Sequence, residues 1–430
     1  MIPVFLIGAM SYGTAHADDL ASLYRIALAN NTQYRSAEAQ YAATREKVPE
    51  SVASFLPSIS LAANSLWNNN DSNTLGRQQY NSNYYTVQLS QPLWRPGNLL
   101  TLDQARLLVV EARAQLDRAQ QDLLVHTAQA YFDVLFAQDA LDAVREQAAA
   151  DLQQLQKATR SFEVGDVPVT DKNDAEARYA LVTAQEIAAG SDLESKRQVL
   201  RQIIGQEPGP LAQWRGGVAL ASPVPDKLTA WEEAAQTQSP TVLGAQAALE
   251  VARLEARRSR ANYLPSIDLV ATHGMSNSQT DIVVGQRLHD DTVGVQLSLP
   301  LYAGGGPSAK SRENLALVEK AHADVDDAQR SGVLAADQAF LGVTSGLVLV
   351  RALEHAITAA QTAVESNRRG FEVGARLLVD VMNAEQQLAV ARRDLAKARY
   401  DTVMSLLHLK AAAGSLNTMD VDDVNALLGR

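Results

Sequence analysis

Three landmarks recur along the chain at nearly one spacing. FLPSISLAAN begins at Phe55 and YLPSIDLVAT at Tyr263, VQLSQPLW begins at Val87 and VQLSLPLY at Val295, and both pairs lie 208 residues apart. The stretch SFEVGDVPVTDKNDAEA at 161–177 returns as GFEVGARLLVDVMNAEQ at 370–386, 209 residues on. Three matches in the same order with one residue of slippage indicate a tandem duplication, so the fold must be built twice from one plan. The halves are 18–205 and 228–414; residues 206–227 between them are rich in Pro and Gly and read as a linker, and 415–430 form a tail.

Each half changes its hydrophobic period in the same way. A helical stretch, Leu20 to Ser54 or Thr229 to Asn262, leads into alternation, with Ile59, Leu61 and Ala63 set against Ser58, Ser60 and Asn64. Val87 and Leu89 oppose Thr86, Gln88 and Ser90, and Val293, Val295, Leu297 and Leu299 oppose Thr292, Gln296 and Ser298. One hairpin per half follows, with strands at 56–67 and 84–94 and again at 264–274 and 291–301. Long polar loops join the strands, and Phe55, Trp94, Tyr263 and Tyr302 stand where strands meet helices. That combination is expected of a transmembrane barrel. A sandwich would need a core that four strands with one polar face cannot supply. Four strands also fail to close a barrel, and lipid does not tolerate open edges, so several copies must pool their strands. Two copies give eight strands and three give twelve; the pattern leaves both open.

The helices are long. From Asn98 to Arg160 there is neither Pro nor Gly, a run of about 90 Å at the helical rise. Leu102, Val109, Leu116, Leu123, Ala130, Ala137 and Val144 recur every seven residues, with Ala105, Ala112 and Ala119 between them. Leu388, Leu395 and Leu409 alternate likewise with Ala384, Ala391, Ala398 and Ala412. Such a seam packs helices closely and is structural. Gly165 and Gly374 stand where a helix C-terminus favours glycine, and Thr170 and Asp171 fall in the first turns of a return helix. The segments 162–171 and 371–380 are therefore the tips of helical hairpins, at the end opposite the strands.

Composition removes several functions. A net charge of -11 without a basic arm excludes a nucleic-acid partner. The absence of cysteine removes thiol catalysis, disulfides and Cys-based zinc sites. The His residues are scattered without HExxH, and AGGGPSAKS has Ala309 where a phosphate loop needs Gly before the Lys, so no enzyme, cofactor or metal site is expected. The first residues combine a short apolar run with Ala15-His16-Ala17, the pattern of an export signal over 1–17. No later run approaches the roughly 20 apolar residues of a membrane-spanning helix, so a crossing would have to be a barrel.

The tandem halves, the LPSI strand starts, the VQLS-x-PL strands and above all VGARLLVDVMNAEQQL resemble the TolC-like outer-membrane efflux and secretion channels. The resemblance implies an α+β, mostly α fold. Long helical hairpins form a periplasmic tunnel, and four strands per protomer enter a twelve-stranded barrel in a homotrimer held in outer membrane lipid. It implies a passive channel-tunnel of a tripartite efflux or type I secretion system. Its partners would be a periplasmic adaptor (membrane fusion) protein, met by the tips at Val164, Gly165, Val373 and Gly374, and an inner-membrane pump of RND or ABC type. Asp380 matches a carboxylate ring at the tunnel entrance, and Thr170, Asp171 and Arg376 match links that hold it shut. Asn383 departs from the pattern where a second ring Asp is expected, and Phe371 where a gate Tyr is. The alternative is a soluble or peripheral coiled-coil scaffold or adaptor of the cell envelope. Such adaptors usually carry one helical hairpin, whereas two hairpins alternate here with two strand pairs.

Overall fold

The computed structural model describes residues 18–74, 76–165, 168–215, 218–278 and 286–429. The expected export signal lies outside them. Helices α1 (Leu20–Asn30), α2 (Thr32–Arg45) and α3 (Lys47–Ala53) precede the strands β1 (Ser58–Ser72) and β2 (Gly76–Trp94), and α4 (Pro96–Glu163) and α5 (Val169–Ile204) follow. The second half repeats the plan with α6 (Leu228–Thr237), α7 (Pro240–Ala261), β3 (Ser266–Ser278), β4 (Gln286–Ser298), α8 (Gly306–Glu372) and α9 (Leu378–Ala412), and α10 (Thr418–Asn425) ends the series.

The helical stretch from Leu20 is broken rather than continuous. Asn31 turns to extended backbone, and its Oδ1 accepts the N–H groups of Gln33 and Tyr34 at 3.0 Å each, capping a new helix. In the second half the break falls before Pro240, which opens α7, where its missing N–H costs nothing.

The strands form one antiparallel sheet in the order β1-β2-β3-β4. They reach further into the loops than the alternation suggests, since Ser72 pairs with Gly76 and the expected first loop is mostly ladder. Its polar side chains bond across the strands, Asn68 Nδ2 to Ser82 Oγ at 2.9 Å and Arg77 Nε to Asn69 Oδ1 at 3.0 Å. Backbone pairing needs no apolar face, so a hydrophobic pattern underestimates such a hairpin. At the other end β4 stops at Ser298, short of 301, because Pro300 has no N–H to give. The register sets Ile59 beside Leu89, Leu61 beside Val87, Leu269 beside Val295 and Ile267 beside Leu297, all on one face. Ser58, Ser60, Gln88, Ser90, Gln296 and Ser298 share the other.

The chain divides into two compact units. One comprises residues up to Ala37, Asp117–Pro240 and from Gln329 onward. Its core is aromatic at the centre: Phe132 stacks on Tyr400 with centroids 5.4 Å apart, and Tyr131 meets Phe132 edge-on at 5.6 Å. Leu20, Leu23, Leu200, Ile204, Leu407 and Val421 close around them. The linker crosses this unit in extended form, with Ala212 accepting a 2.7 Å bond from the Tyr131 hydroxyl. On α8, Gly342 and Gly346 lie directly against the Ser405 and Thr402 side chains of α9, with no room for a Cβ.

The other unit, Glu38–Leu116 with Thr241–Ala328, holds the sheet and the helix ends that carry it. Arg95, between β2 and α4, grips Asp268 of β3 with two bonds of 2.8 and 2.7 Å. Gln104 of α4 donates to Glu255 of α7 at 3.2 Å.

At 68 residues α4 runs about 100 Å. Its expected seam is real: Ala105, Ala112, Leu116, Leu123, Ala130 and Ala137 are buried, as are Leu395, Ala398 and Leu409 on α9. One expectation fails. Part of α8 is apolar and long enough to cross a membrane as a helix. Its apolar residues, however, divide between buried positions, Ala336, Ala339, Val343, Leu347 and Val350, and an outer stripe at Leu334, Leu341 and Val348 that is 57–66% exposed.

Candidate functional site

Both hairpin tips end their outgoing helix by the same backbone device. Gly165 N–H donates to Phe162 and Gly374 N–H to Phe371, each at 3.0 Å, with φ of 81° and 75°. Glycine takes this left-handed conformation without the strain a Cβ brings. In the second tip the N–H groups of Ala375 and Arg376 also converge on the Gly370 carbonyl at 2.8 and 3.1 Å. A Cβ on Gly370 would lie 2.7 Å from Arg376 Cγ, so the missing side chain lets the arginine stem lie over the helix end. Val164 and Val373 are more than 70% exposed at the apices, and Phe371 is partly exposed beside them.

The return helices start behind Pro168 and Leu377, both extended. In the first turn of α9, Asp380 Oδ2 accepts the Leu377 N–H at 3.3 Å, a favourable place for a carboxylate at the positive end of the helix dipole. Arg376 Nη1 stands 3.9 Å from the same oxygen. In the first turn of α5, Asp171 Oδ1 accepts the Thr170 hydroxyl at 3.3 Å. Within one chain Arg376 thus pairs with Asp380 rather than Asp171, and each aspartate stays with its own tip.

Asn383 is engaged from the other hairpin: both Arg178 Nη atoms donate to its Oδ1 at 3.2 Å. Two residues on, Glu385 Oε1 accepts Arg368 Nε and Nη2 at 3.0 and 2.6 Å, while Glu385 Oε2 is buried without a hydrogen-bond partner. Asp151 of α4 is buried nearby; burial first, and then the Glu385 charge, push its carboxyl above the usual range, against the pull of Arg178. The sequence reading missed Arg178, Arg368, Glu385 and Asp151. Glu385 stands inside the repeated motif, which is the one hint the sequence held. Among the described residues no group of three or more His, Cys, Asp or Glu could hold a metal.

The family model for outer membrane efflux proteins matches residues 23–206 and 231–415, one match per half. The chain is 34% identical to the outer membrane protein TolC of Vibrio cholerae over 433 residues, covering 99% of this chain and 98% of that one. It is 31% identical to the alkaline protease secretion protein AprF of Pseudomonas aeruginosa, covering 96% and 88%. Among solved structures, the CmeC outer membrane channel of Campylobacter jejuni superposes with a TM-score of 0.81 at 16% identity, over 100% of this chain and 98% of that one.

Proposed function

The chain belongs to the outer membrane efflux protein family, and we propose that it is the exit duct of a tripartite export machine, a homotrimer that conducts cargo passively. It is an outer-membrane channel for efflux and type I secretion, with its helical tunnel in the periplasm. The observation that carries assembly from several copies is the sheet. Its apolar face is bare, with Ile59 71% and Val293 79% exposed, and β1 and β4 each have a neighbour on one side only. In lipid those edges must be paired, and three copies pair them in a twelve-stranded barrel with the apolar face toward outer membrane lipid. The outer stripe on α8 fits the same assembly, since Leu334, Leu341 and Val348 recur at the seven-residue interval of a helix seam. A soluble scaffold would leave both surfaces in water.

Around the threefold axis, Asp380 forms the entrance ring with Asn383 beside it. Asp171 and Arg376 are weakly committed within one chain, at 3.3 and 3.9 Å from their partners. They are therefore free to link neighbouring protomers, with Thr170 alongside. Such wet ion pairs contribute about 0–1 kcal/mol each, a lock that an adaptor can open. Phe371 adds no hydroxyl to it. The exposed tips at Val164, Gly165, Val373 and Gly374 are the surface for a periplasmic adaptor, which joins the duct to an inner-membrane pump of RND or ABC type.

Membrane fractionation with gel analysis of heated and unheated samples tests the reading. A heat-modifiable trimer in the outer membrane that forms channels in planar bilayers is expected. A monodisperse monomer without bilayer activity would overturn it.

A further inference from the structure

At the entrance, the position next to the Asp380 ring is not merely neutral. Arg178 reaches across from α5 and sets two N–H groups on Asn383 Oδ1, both at 3.2 Å. An amide oxygen carries no charge to cancel a guanidinium, and three of the five guanidinium N–H groups remain. Among the described residues Arg178 makes no ion pair within 4.0 Å. Of the carboxylates of this region, Glu385 is held by Arg368 at 2.6 Å, Asp151, which does feel Arg178, is buried on α4, and the exposed Asp174, one turn before Arg178 on α5, makes no ion pair with it within 4.0 Å. Burial, and then the Glu385 charge, raise the Asp151 carboxyl above its usual range, against the pull of Arg178.

Asn383 and Asp380 are three residues apart on α9 and share a face, with Cβ atoms about 5–6 Å apart. The repeat makes the change of charge explicit. The counterpart of Asn383 in the first half is Asp174, and the counterpart of Arg178 in the second is Gln387, both 209 residues away. Where the second tip lacks a carboxylate, its neighbour supplies a cation.

We propose that Arg178 is a selectivity-determining residue: a guanidinium fixed on Asn383, itself one turn from Asp380, that lets the entrance bind and pass small anions as well as cations. The proposal rests on the reading that Asp380 lines the entrance. Each protomer then contributes one carboxylate flanked by two guanidinium groups, Arg376 and Arg178. A unit charge about 6 Å from an ion path in a water-like medium changes local ion concentration about threefold, and three copies act together.

The test is the reversal potential of single channels in a potassium chloride gradient, with inorganic sulfate added on the entrance side as an anion probe. Arg178→Gln is expected to raise the potassium-to-chloride permeability ratio at least about threefold and to abolish block by sulfate. Arg178→Lys, which keeps the charge, is expected to stay near the parent, and heat-modifiable trimers report that each variant assembles. If Arg178→Gln opens the channel wider with unchanged selectivity, the residue is only a strut and the proposal is overturned. Asp380→Ala separates the two ideas: lower cation selectivity there, with Arg178→Gln silent, sinks the proposal and leaves the entrance reading standing. If Asp380→Ala is silent too, the entrance reading falls and takes the proposal with it.

Discussion

The Tyr400 hydroxyl donates to Asp139 Oδ2 at 2.6 Å, joining α9 to α4 across 261 residues of sequence. Burial is the largest influence on both groups: it raises the Asp139 carboxyl above its usual range, the tyrosine bond opposes that rise, and Tyr400 itself is pushed well up. Tyr400→Phe keeps the ring stack on Phe132 and removes the donor, leaving a buried carboxylate unpaired at a cost of about 1–3 kcal/mol. A carboxyl whose folded pKa is raised stabilises the fold below the unfolded value, near 3.8, and loses that contribution as pH rises through the folded value. The variant raises the folded value further. Its destabilisation is therefore expected to be larger at pH 7 than below pH 3.8, measured by thermal or denaturant unfolding at both; equal losses would assign no role to the proton.

Two faces of one strand should respond oppositely to the same charge. Val295→Arg puts a cation on the apolar face of β4, costing about 2–4 kcal/mol per copy in the bilayer midplane, and is expected to reduce outer-membrane trimer. Gln296→Arg lies on the other face and is expected to assemble and change conductance. Equal yields of the two variants would refute the assignment of faces.

The glycine contacts of α8 with Ser405 and Thr402 of α9 admit no further side chain. Gly346→Leu drives a branched chain into Thr402, an overpacking that costs about 1–3 kcal/mol or more. Reduced trimer yield and a lower unfolding midpoint are expected, whereas Gly294→Leu, on the exposed edge strand with open space about its Cβ position, tests whether size alone is the cause.

At the tips, Gly374→Ala meets no atom within 4 Å but must hold φ near 75°, which costs about 1 kcal/mol. Faster amide exchange confined to the second tip, with the global melting point nearly unchanged, is the expected outcome.

Arg376→Ala removes both its pair with Asp380 and any link to Asp171 of a neighbour. Conductance of the resting channel is expected to rise, since a lock of three such pairs is worth at most about 3 kcal/mol. Unchanged conductance would show that the closed state is held elsewhere.

Much of this was legible because a duplicated pattern reports itself twice. The Gly165 and Gly374 stops, the Leu–Ala seam and the alternating part of each strand all leave a local periodic trace. The break at Asn31 did not, since an asparagine inside a helical run announces a cap only once its amide is seen on Gln33 and Tyr34. The outer half of the first hairpin was invisible because ladder bonds between Asn, Gln and Ser residues carry no hydrophobic period. Arg178 and Asn383 are 205 residues apart, and nothing in either neighbourhood names the other. Polar partners brought together by helix packing show only in the folded chain.

The linker segment is stitched on both sides: Asp18 bridges Leu211, and Leu428 bridges Trp214. A segment at the middle of the chain is thus completed by backbone from near its beginning and from far downstream, two closures that are both long in sequence. During delivery across the inner membrane the early repeat cannot finish maturing until residue 428 has followed it out.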